Sequence, residues 1–558
     1  MDNFRVILAI VLSVVIIIGY QYFFVGFNPA PPPAPKTVEN APVAAQPAAP
    51  PAVIAQEAPT PQPPVKPGRD ITVRSDLFTA VVSENGAALK SLVLNRYKEN
   101  NKKTSPGKEL VTNEAKEGYP LKFSWGDLVG DSLFYQTDSA EIDLRDAAKS
   151  AGQTATLVMR ADAGNGIQVE RRYGFQKGNY LFSLDITVKN TGDHPVQGIP
   201  ALAQINPPFE RAAHPADQFL FKGPIAFIGG KRIEVPAKDL ADGPRTEQGD
   251  IEWAGYEGNY FLRAIVPMAG DASAFTMSGG EQLTMTQLAG KLETITPGAE
   301  KTYSYKVFYG PKNIRELRAI GYNLERSVDF GWFDIIARPT LWLLNFFYGI
   351  VKNYGVAIIL VTVLFKAVFW PISQKGLKSM KNMQKLQPKM VKLKEKYKDD
   401  PSRLNQEVMN LYKTYKVNPM GGCLPIIVQI PVFFALYKVL LQSIELRHAP
   451  FMLWINDLSA PDRLPLGFDI PYLGGLPVLT LLMGASMWYQ QKITPTSADP
   501  TQAKILMFMP VLFTFMFLNF PAGLVLYWLV NNLLSILQQK LILRETGKNI
   551  AAPSHGDA

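Results

Sequence analysis

The amino-acid sequence predicts an α-helical membrane bundle of six transmembrane helices, five of which form a core, joined to a large antiparallel β-sandwich outside the membrane. Three observations predict this fold: an apolar segment at the N-terminus, short alternating runs between residues 70 and 325, and five apolar segments after residue 353. The 558 residues carry a net charge of +9. That charge is too small for a dedicated nucleic-acid binder of this size, so no specific DNA binding is expected.

The N-terminal segment, residues 1–27, is predicted to be an uncleaved signal anchor. Residues 4–24 contain a single charge, Arg5, and their apolar run is long enough for one membrane crossing. Tyr20 and Tyr22 fit an aromatic belt at the far interface. A cleaved signal peptide is the alternative, but the run is long for one and no clear small-x-small cleavage site follows it.

The next two segments are a tether and a β domain. Residues 28–69 are predicted to be a Pro/Ala-rich tether, because 14 prolines in this stretch prevent a packed core. Residues 70–325 alternate between apolar and polar positions, with Gly, Asn and Asp clusters between the runs. This pattern predicts a large antiparallel β-sandwich. The clearest runs are 71–82, 155–161, 167–175, 181–190 and 301–309.

Residues 330–353 are nearly all large and apolar, with a few polar exceptions. These exceptions, Asp334, Arg338, Asn345 and Lys352, fall within about 40° of one another on a helical wheel. An apolar helix with one thin polar stripe is typical of a membrane surface, so an interfacial amphipathic helix is predicted. A buried core helix is the alternative interpretation.

Residues 354–545 are the predicted helical core, and 546–558 are a short tail. The core spans are predicted at about 354–372, 425–441, 476–490, 505–519 and 522–538. The last three have roughly 15–17 apolar residues, or about 22–25 Å of helix, against about 30 Å for a typical hydrocarbon core. Such short spans predict a thinned bilayer around the protein.

The loop 373–422 sets the predicted orientation. It contains twelve Lys and Arg against four acidic residues, so the positive-inside rule places it in the cytoplasm. Counting spans in both directions then puts the N-terminus and the C-terminus in the cytoplasm and the β domain on the exported side. The chain has one cysteine, which excludes an intrachain disulfide.

Lys366 is the principal candidate for a functional residue. It interrupts the first core span, where a lysine costs about 2.5–3.5 kcal/mol on insertion scales. The functional interpretation is a cation that faces a water-filled cavity open to the cytoplasm, with Thr362 on the same helix face. Snorkelling of the lysine side chain to the membrane interface is the alternative.

Other core spans also carry polar side chains at depth. Gln429 and Thr514 are examples, and two asparagines follow Tyr527 and Trp528 in the last span. Each alone is more often a helix–helix contact than a functional group. Together with Lys366 they are candidates to line one hydrated groove.

The loop 373–422 is predicted to form a basic antiparallel helical hairpin, broken at residues 399–401. Its expected partners are anionic lipids, ribosomal RNA or a nascent chain. A topology signal with a solvated face is the alternative. The candidate contact residues are Lys378, Lys381, Lys385, Lys389, Met380 and Met383.

Motifs of ordinary catalysis are missing from the sequence. There is no GxxxxGK[ST], HExxH, paired CxxC or GxSxG pattern. Four separated histidines and one cysteine give no cluster with metal-ligand spacing. The sequence therefore predicts neither an enzyme nor a resident metal or cofactor.

Three stretches of the core resemble the signature of the YidC family of membrane protein insertases. They are NPMGGCLP (418–425) with QIPVFFALY (429–437), FMPVLFT (508–514) and FPAGLVLY (520–527). The resemblance spans about 330–545. The N-terminal anchor, the tether and the large β domain resemble the Gram-negative form, whose periplasmic domain is a β-supersandwich.

The resemblance implies an insertase of the bacterial inner membrane. Such proteins insert nascent membrane proteins and help them fold, alone or with the Sec translocon, while ribosomes dock on the cytoplasmic side. It places Lys366 in a groove where the family usually has arginine, so the charge is kept but the planar fork is lost. It also places Thr362 and Trp528 in or near that groove. From the residues alone, a secondary transporter and a membrane-tethered carbohydrate-modifying enzyme are the competing classes.

Overall fold

The computed structural model describes residues 68–548, apart from 114–116, 127, 130–132, 146–152, 207–219, 269, 280–282, 399, 416, 418–423, 469, 472 and 495–499. The chain divides into two units, residues 1–67 and 68–558, and the described residues belong to the second. The predicted signal anchor, the tether up to residue 67 and the tail from residue 549 lie outside the described residues. Most of the signature at 418–425 lies outside them as well.

Strands dominate the described chain up to residue 311. Their bounds are β1 Asp70–Arg74, β2 Phe78–Ser83, β3 Leu89–Lys98, β4 Gly107–Glu109, β5 Lys122–Trp125, β6 Leu128–Val129, β7 Glu141–Asp143, β8 Thr154–Gly164, β9 Ile167–Gln176, β10 Leu181–Asn190, β11 Val196–Gly198, β12 Pro200–Asn206, β13 Gly223–Ile228, β14 Lys231–Glu234, β15 Arg245–Gln248, β16 Ile251–Glu257, β17 Phe261–Pro267, β18 Ala274–Gly279, β19 Thr284–Ala289, β20 Glu293–Ile295 and β21 Glu300–Pro311. Four predicted runs coincide with β8, β9, β10 and β21. The run 71–82 divides into β1 and β2, because the backbone N–H of Ser75 donates to the carbonyl of Phe78 and turns the chain.

Two large sheets pack face to face. The eight-stranded sheet has the order β14-β13-β16-β17-β21-β10-β9-β8, and the six-stranded sheet has the order β15-β18-β19-β12-β5-β6. The indole N–H of Trp125 in β5 donates to the hydroxyl of Tyr303 in β21 at 2.9 Å, and both side chains are buried. This contact joins the sheets within a sandwich core.

A third sheet, with the order β4-β3-β2-β1-β7, departs from the prediction. β1 and β7 pair in parallel, with Thr72 opposite Glu141, so the β domain is not purely antiparallel. A parallel pair needs a long connection between its strands, and here β2 to β6 supply it. The alternating runs predicted strands but carried no information about the direction of this pair.

Helices replace strands after β21. Their bounds are α1 Ile314–Ile320, α2 Asp334–Val351, α3 Tyr354–Lys396, α4 Pro401–Thr414, α5 Leu424–Gln442, α6 Val478–Ile493, α7 Pro500–Phe517 and α8 Ala522–Lys548. By length and composition α3 is the one described helix able to cross a membrane, while Ile427–Gln442 and Leu506–Phe517 are shorter apolar segments. A β domain and a helical domain are therefore both present, but the predicted number of six transmembrane helices is not confirmed.

Helix α3 joins two segments that were predicted separately. It runs for 43 residues from the first predicted core span into the first arm of the hairpin, through Pro371 and Pro388. The second arm is α4, which packs back on α3. There the hydroxyl of Tyr412 donates to the sulfur of Met390 at 3.4 Å.

Helix α2 has one buried face and one exposed apolar face. Leu341 and Leu344 are buried against the rest of the protein, whereas Trp342, Phe346 and Ile350 are exposed. In water such an exposed apolar stripe is unfavourable. The helix is therefore suited to contact with another apolar phase.

The β domain rests on the loop that follows α5. The amide of Asn313, just before α1, donates to the carboxylate of Glu445 at 3.2 Å, and burial raises the pKa of that carboxyl. The guanidinium of Arg447 donates to the carbonyl of Glu99 at 3.0 Å. It also lies over the ring of Phe261, 5.4 Å from the ring centre. Both parts of the described chain are thus held together by polar contacts at one end of the helices.

We expect Arg171→Ala to destabilise the β domain by about 3 kcal/mol. The alternation of β9 places this guanidinium on the buried face, where it donates to the carbonyls of Gly86 at 2.8 Å and Leu121 at 2.7 Å. The substitution leaves two buried carbonyls without their donor. Thermal unfolding of the full-length protein in detergent measures the effect.

Arg172→Ala is the matched control, because Arg172 is the next residue of β9 but is exposed and pairs with Glu170. We expect it to change the unfolding free energy by less than about 0.5 kcal/mol. Equal losses for the two variants would contradict the structural role of Arg171.

Candidate functional site

Lys366 lies on α3 with its side chain partly buried, among exposed apolar neighbours such as Leu364 and Val368. Its ammonium donates to the hydroxyl oxygen of Ser535 on α8 at 2.7 Å. The Ser535 hydroxyl is buried and donates in turn to the carbonyl of Asn531 at 2.8 Å. The lysine side chain therefore points towards the neighbouring helix α8.

The Lys366 ammonium keeps its charge free of a fixed counter-ion. Within the described part of the chain, no carboxylate interacts with it. An ammonium has three donors, and Ser535 accepts from one of them without neutralising the charge. In partly apolar surroundings such a charge attracts a carboxylate more strongly than it does in water. Lys366 is thus the free cation around which the candidate site is built.

A row of polar side chains on α8 connects the core helices; we call it the α8 seam. It consists of Tyr527, Asn532, Ser535, Gln538 and Gln539, each of them buried. The hydroxyl of Tyr527 accepts from the amide of Gln429 on α5 at 2.7 Å. The amide of Asn532 donates to the hydroxyl of Ser486 on α6 at 3.0 Å. The seam thus satisfies polar groups of α5 and α6 away from water.

The half of the seam nearer the C-terminal end of α8 was missed in the sequence. Besides Ser535, the amide of Gln538 donates to the carbonyl of Trp370 on α3 at 3.3 Å. The amide of Gln539 donates to the hydroxyl of Thr494, just after α6, at 3.0 Å. The available signal was the spacing from Asn532 onwards, because Ser535 follows it by three positions and Gln538 and Gln539 follow Ser535 by three and four, which keeps these side chains on one side of the helix.

Two predicted groove residues lie at helix contacts and make no hydrogen bond to Lys366. Thr362 is 2% exposed, and its hydroxyl donates to the carbonyl of Ile358 within α3 at 2.6 Å. Thr514 donates to the carbonyl of Pro510 at 2.7 Å and packs against Gly484 of α6. Both hydroxyls are satisfied by their own helices.

Trp528 belongs to an aromatic cluster between α5, α7 and α8. Its ring lies 4.7 Å from that of Phe433, 6.1 Å from that of Phe513 and 4.9 Å from that of Phe517, measured between ring centres. Such edge-to-face and tilted contacts pack aromatic rings firmly. The cluster adjoins the bond between Gln429 and Tyr527 and forms an apolar wall beside the α8 seam.

A loop between α5 and α6 covers the end of the helices that faces the β domain. The buried carboxylate of Asp462 accepts from the indole of Trp454 at 2.6 Å and from the backbone N–H of Leu479 at 2.5 Å. The guanidinium of Arg463 donates to the carbonyl of Leu518 at 2.9 Å, at the turn between α7 and α8. These bonds tie the loop to α6, α7 and α8 and close this end.

The opposite end continues into the basic hairpin. Lys378, Lys385 and Lys389 are exposed, and the ammonium of Lys389 also lies over the ring of Tyr415, 4.2 Å from its centre. Lys381, Met380 and Met383 are half-buried. The predicted methionines are therefore only partly accessible, whereas most of the lysines present their charge to solvent.

Two family profiles match this chain and together cover most of it. Residues 70–343 match the profile described as YidC periplasmic domain, and residues 346–549 match the profile described as 60Kd inner membrane protein. The boundary between them, at residues 343–346, falls within α2.

Curated relatives match along nearly the whole length. The membrane protein insertase YidC of Geotalea daltonii is 41% identical over 550 residues, which is 96% of this chain and 98% of the relative. The protein of the same name from Syntrophus aciditrophicus is 41% identical over 566 residues, covering 97% of this chain and 99% of the relative.

Solved structures are more distant. A crystal structure of an active YidC insertase, with its first transmembrane domain resolved, covers 86% of this chain and 93% of its own, at 18% identity and a TM-score of 0.35. A galactose mutarotase-like protein from Lactobacillus casei covers 43% of this chain and 100% of its own, at 14% identity and a TM-score of 0.32. The sequence relatives therefore carry the assignment of the family.

We expect Gly484→Ala to push α6 and α7 apart and to destabilise the helical domain by about 1–3 kcal/mol. A Cβ atom at residue 484 would lie 2.1 Å from the hydroxyl oxygen of Thr514. Thermal unfolding in detergent measures the loss, and the double variant with Thr514→Ala should recover part of it. Gly349→Ala in α2 is the control, because a Cβ there meets no atom within 4 Å. A similar loss for both alanine variants would contradict the close crossing.

Proposed function

This chain belongs to the YidC family of membrane protein insertases, and from that premise we propose how its helical domain moves a substrate. The protein is an inner-membrane insertase with a periplasmic domain. A polar segment of a nascent membrane protein enters beside Lys366 from the cytoplasm, and the adjoining apolar segment leaves sideways into lipid. The relatives over the full length argue against the transporter and the carbohydrate-modifying enzyme.

The free charge of Lys366 carries the proposal. Its ammonium is bound to Ser535, and no carboxylate among the described residues neutralises it. An acidic residue near the translocated end of a substrate can pair with the ammonium of Lys366 while it crosses the membrane. Because burying an unpaired charge in lipid is costly, a counter-charge lowers the barrier for that segment.

The α8 seam supports the same route. Its buried amides and hydroxyls make one side of the helical domain polar. A peptide segment in transit has backbone groups that lipid cannot satisfy. Side chains that can exchange their hydrogen bonds, such as Gln429 with Tyr527, offer partners along the way.

The apolar segment needs a path to lipid, and α3, α5 and α7 offer apolar faces. Val368, Ile427 and Phe508 are 60%, 54% and 65% exposed. The free energy of the substrate helix falls by about 25 cal/mol for each Å² of its apolar surface that is removed from water. That gain drives insertion without nucleotide hydrolysis, which agrees with the missing P-loop motif.

The orientation and partners follow from charge. The basic hairpin faces the cytoplasm with both termini, and α2 lies on the periplasmic surface of the membrane with its apolar stripe in the lipid. Exposed lysines of the hairpin meet the ribosome and anionic lipids. The Sec translocon as a further partner rests on the resemblance to the family and not on charge.

Lys366→Ala should slow the insertion of a substrate with an acidic exported tail about tenfold, which corresponds to roughly 1.4 kcal/mol of lost attraction. Lys366→Arg should retain activity, because the charge is kept. Protease protection of the tail in proteoliposomes measures insertion. The same substrate with a neutral tail should be much less affected.

Lys492→Ala is the matched control, because Lys492 lies in the last turn of α6 and its ammonium lies over the ring of Trp488. Ser535→Ala should reduce insertion of the acidic tail about threefold, since the ammonium loses its acceptor, and Ser535→Thr should restore it. Full activity of the Lys366→Ala variant on the acidic tail would remove the cation from the mechanism.

Replacing Lys378, Lys385 and Lys389 by glutamine should weaken ribosome binding several-fold at low salt, because three exposed charges are lost. Co-sedimentation of ribosomes with proteoliposomes measures binding. A variant with three exposed lysines of the β domain replaced, Lys189, Lys231 and Lys291, serves as control. Unchanged binding by the hairpin variant would leave those lysines with a topological role only.

A further inference from the structure

A short apolar turn projects from the loop between α5 and α6. The N–H of Phe451 donates to the carbonyl of Ile455 at 2.9 Å, and the N–H of Ile455 donates to the carbonyl of Met452 at 3.1 Å. We call residues 451–455 the exported turn. Its tip is exposed, at 50% for Met452 and 80% for Leu453. Leu453 has a φ of 55°, a conformation that leucine rarely adopts.

The exported turn is firmly held at its base. Trp454, next to the tip, donates its indole N–H to the buried carboxylate of Asp462 at 2.6 Å. The ring of Phe451 fills the space beside Gly355, where a Cβ atom would lie 2.0 Å from it. The exposed tip is therefore presented by a fixed support, and the left-handed Leu453 is part of that presentation.

The position of the exported turn relative to α2 and α3 sets its depth. The amide of Asn353 donates to the carbonyl of Phe451 at 2.8 Å. Asn353 lies between the end of α2 at Val351 and the start of α3 at Tyr354. The apolar tip therefore lies at the level where α3 begins, beside the helix with the exposed apolar stripe. In an inner-membrane protein this level is the boundary between headgroups and acyl chains.

Charges near the tip complete the pattern. Residues 449–456 contain no charged side chain. The amide of Asn101, in the connection between β3 and β4, donates to the carbonyl of Asn456 at 2.7 Å. Lys102 and Lys103 follow it, and both are exposed. Two ammonium groups beside an apolar tip match a phospholipid, whose phosphate lies outside its acyl chains.

We propose that the exported turn inserts Met452 and Leu453 among the acyl chains of the periplasmic leaflet, with Lys102 and Lys103 on the phosphates of anionic lipids. The turn and its lysines anchor the closed end of the helical domain at a point separate from α2. This anchor is independent of Lys366 and of the substrate route. A variant at either place leaves the other testable.

The single cysteine of the chain, Cys423, makes a site-specific probe practical. In the full-length Cys423→Ser protein, Leu453→Cys is labelled with the fluorophore NBD and reconstituted into vesicles of phosphatidylethanolamine and phosphatidylglycerol. We expect blue-shifted emission and quenching by lipids that carry a nitroxide on the acyl chain. The control is Asp193→Cys in the β domain, whose native side chain is 91% exposed. Its label should keep water-like emission and resist the quencher.

The lysines are tested by combining Lys102→Glu and Lys103→Glu with the probe at residue 453. Quenching should fall in these vesicles and stay unchanged in vesicles of phosphatidylcholine alone. Water-like emission at residue 453 in both vesicle types would overturn the proposal. A blue shift that appears only with a stalled nascent chain or with Sec would assign the turn to a protein partner and equally overturn it.

Discussion

A hydrogen bond from the ammonium of Lys366 to the hydroxyl of Ser535 is the interaction on which the helical domain depends. A lysine on an apolar helix needs an acceptor, because an unsatisfied buried donor is costly. A carboxylate would have satisfied it and cancelled its charge. A serine accepts a hydrogen bond and leaves the charge in place, so this contact helps to join α3 and α8 and keeps a cation available. The rest of the α8 seam makes hydrogen bonds between neutral groups, with partners on α3, α5 and α6 and at Thr494 just after α6.

The two ends of the helical domain are built from different chemistry. At the end next to the β domain, Asp462 accepts hydrogen bonds from Trp454 and from the backbone of Leu479. Arg463 donates to the carbonyl of Leu518 and to the side chain of Asn519. The β domain makes further hydrogen bonds to the same loop, such as that between Arg447 and the carbonyl of Glu99. The contacts at this end are buried, directional hydrogen bonds, whose strength depends little on ionic strength. At the hairpin, exposed lysines act through long-range charge, which ionic strength weakens. A rigid closed end and an adjustable open end suit a protein that receives substrates from one side.

Much of the architecture could be predicted because it depends on local periodicity. The runs that became β8, β9 and β10 alternate with period two, and Lys366 stands out because a charge interrupts an apolar run. The direction of the pair β1 and β7 could not be predicted, since it depends on the path of a long connection. Helix α3 also continues past residue 372, where the predicted span ends. That predicted boundary marked the onset of charged residues and not a break in the helix.

The partners of the site were harder to predict, because helix packing decides them. Ser535 is 169 residues from Lys366 in sequence, and a helical serine commonly bonds its own backbone, as it also does here with Asn531. Thr362 shares a helix face with Lys366 by spacing, yet four residues turn the helix by about 400°, which leaves them about 40° apart. That offset is enough for packing to bury Thr362 and leave Lys366 partly accessible.

The length of α3 has a mechanical consequence. Its 43 residues form one continuous helix of about 64 Å, which carries both Lys366 and the basic arm of the hairpin. A displacement of the arm is therefore passed to Lys366 through helical backbone that contains two prolines, Pro371 and Pro388. Each of these prolines removes one backbone hydrogen bond of the helix, so bending of α3 is concentrated at these two turns.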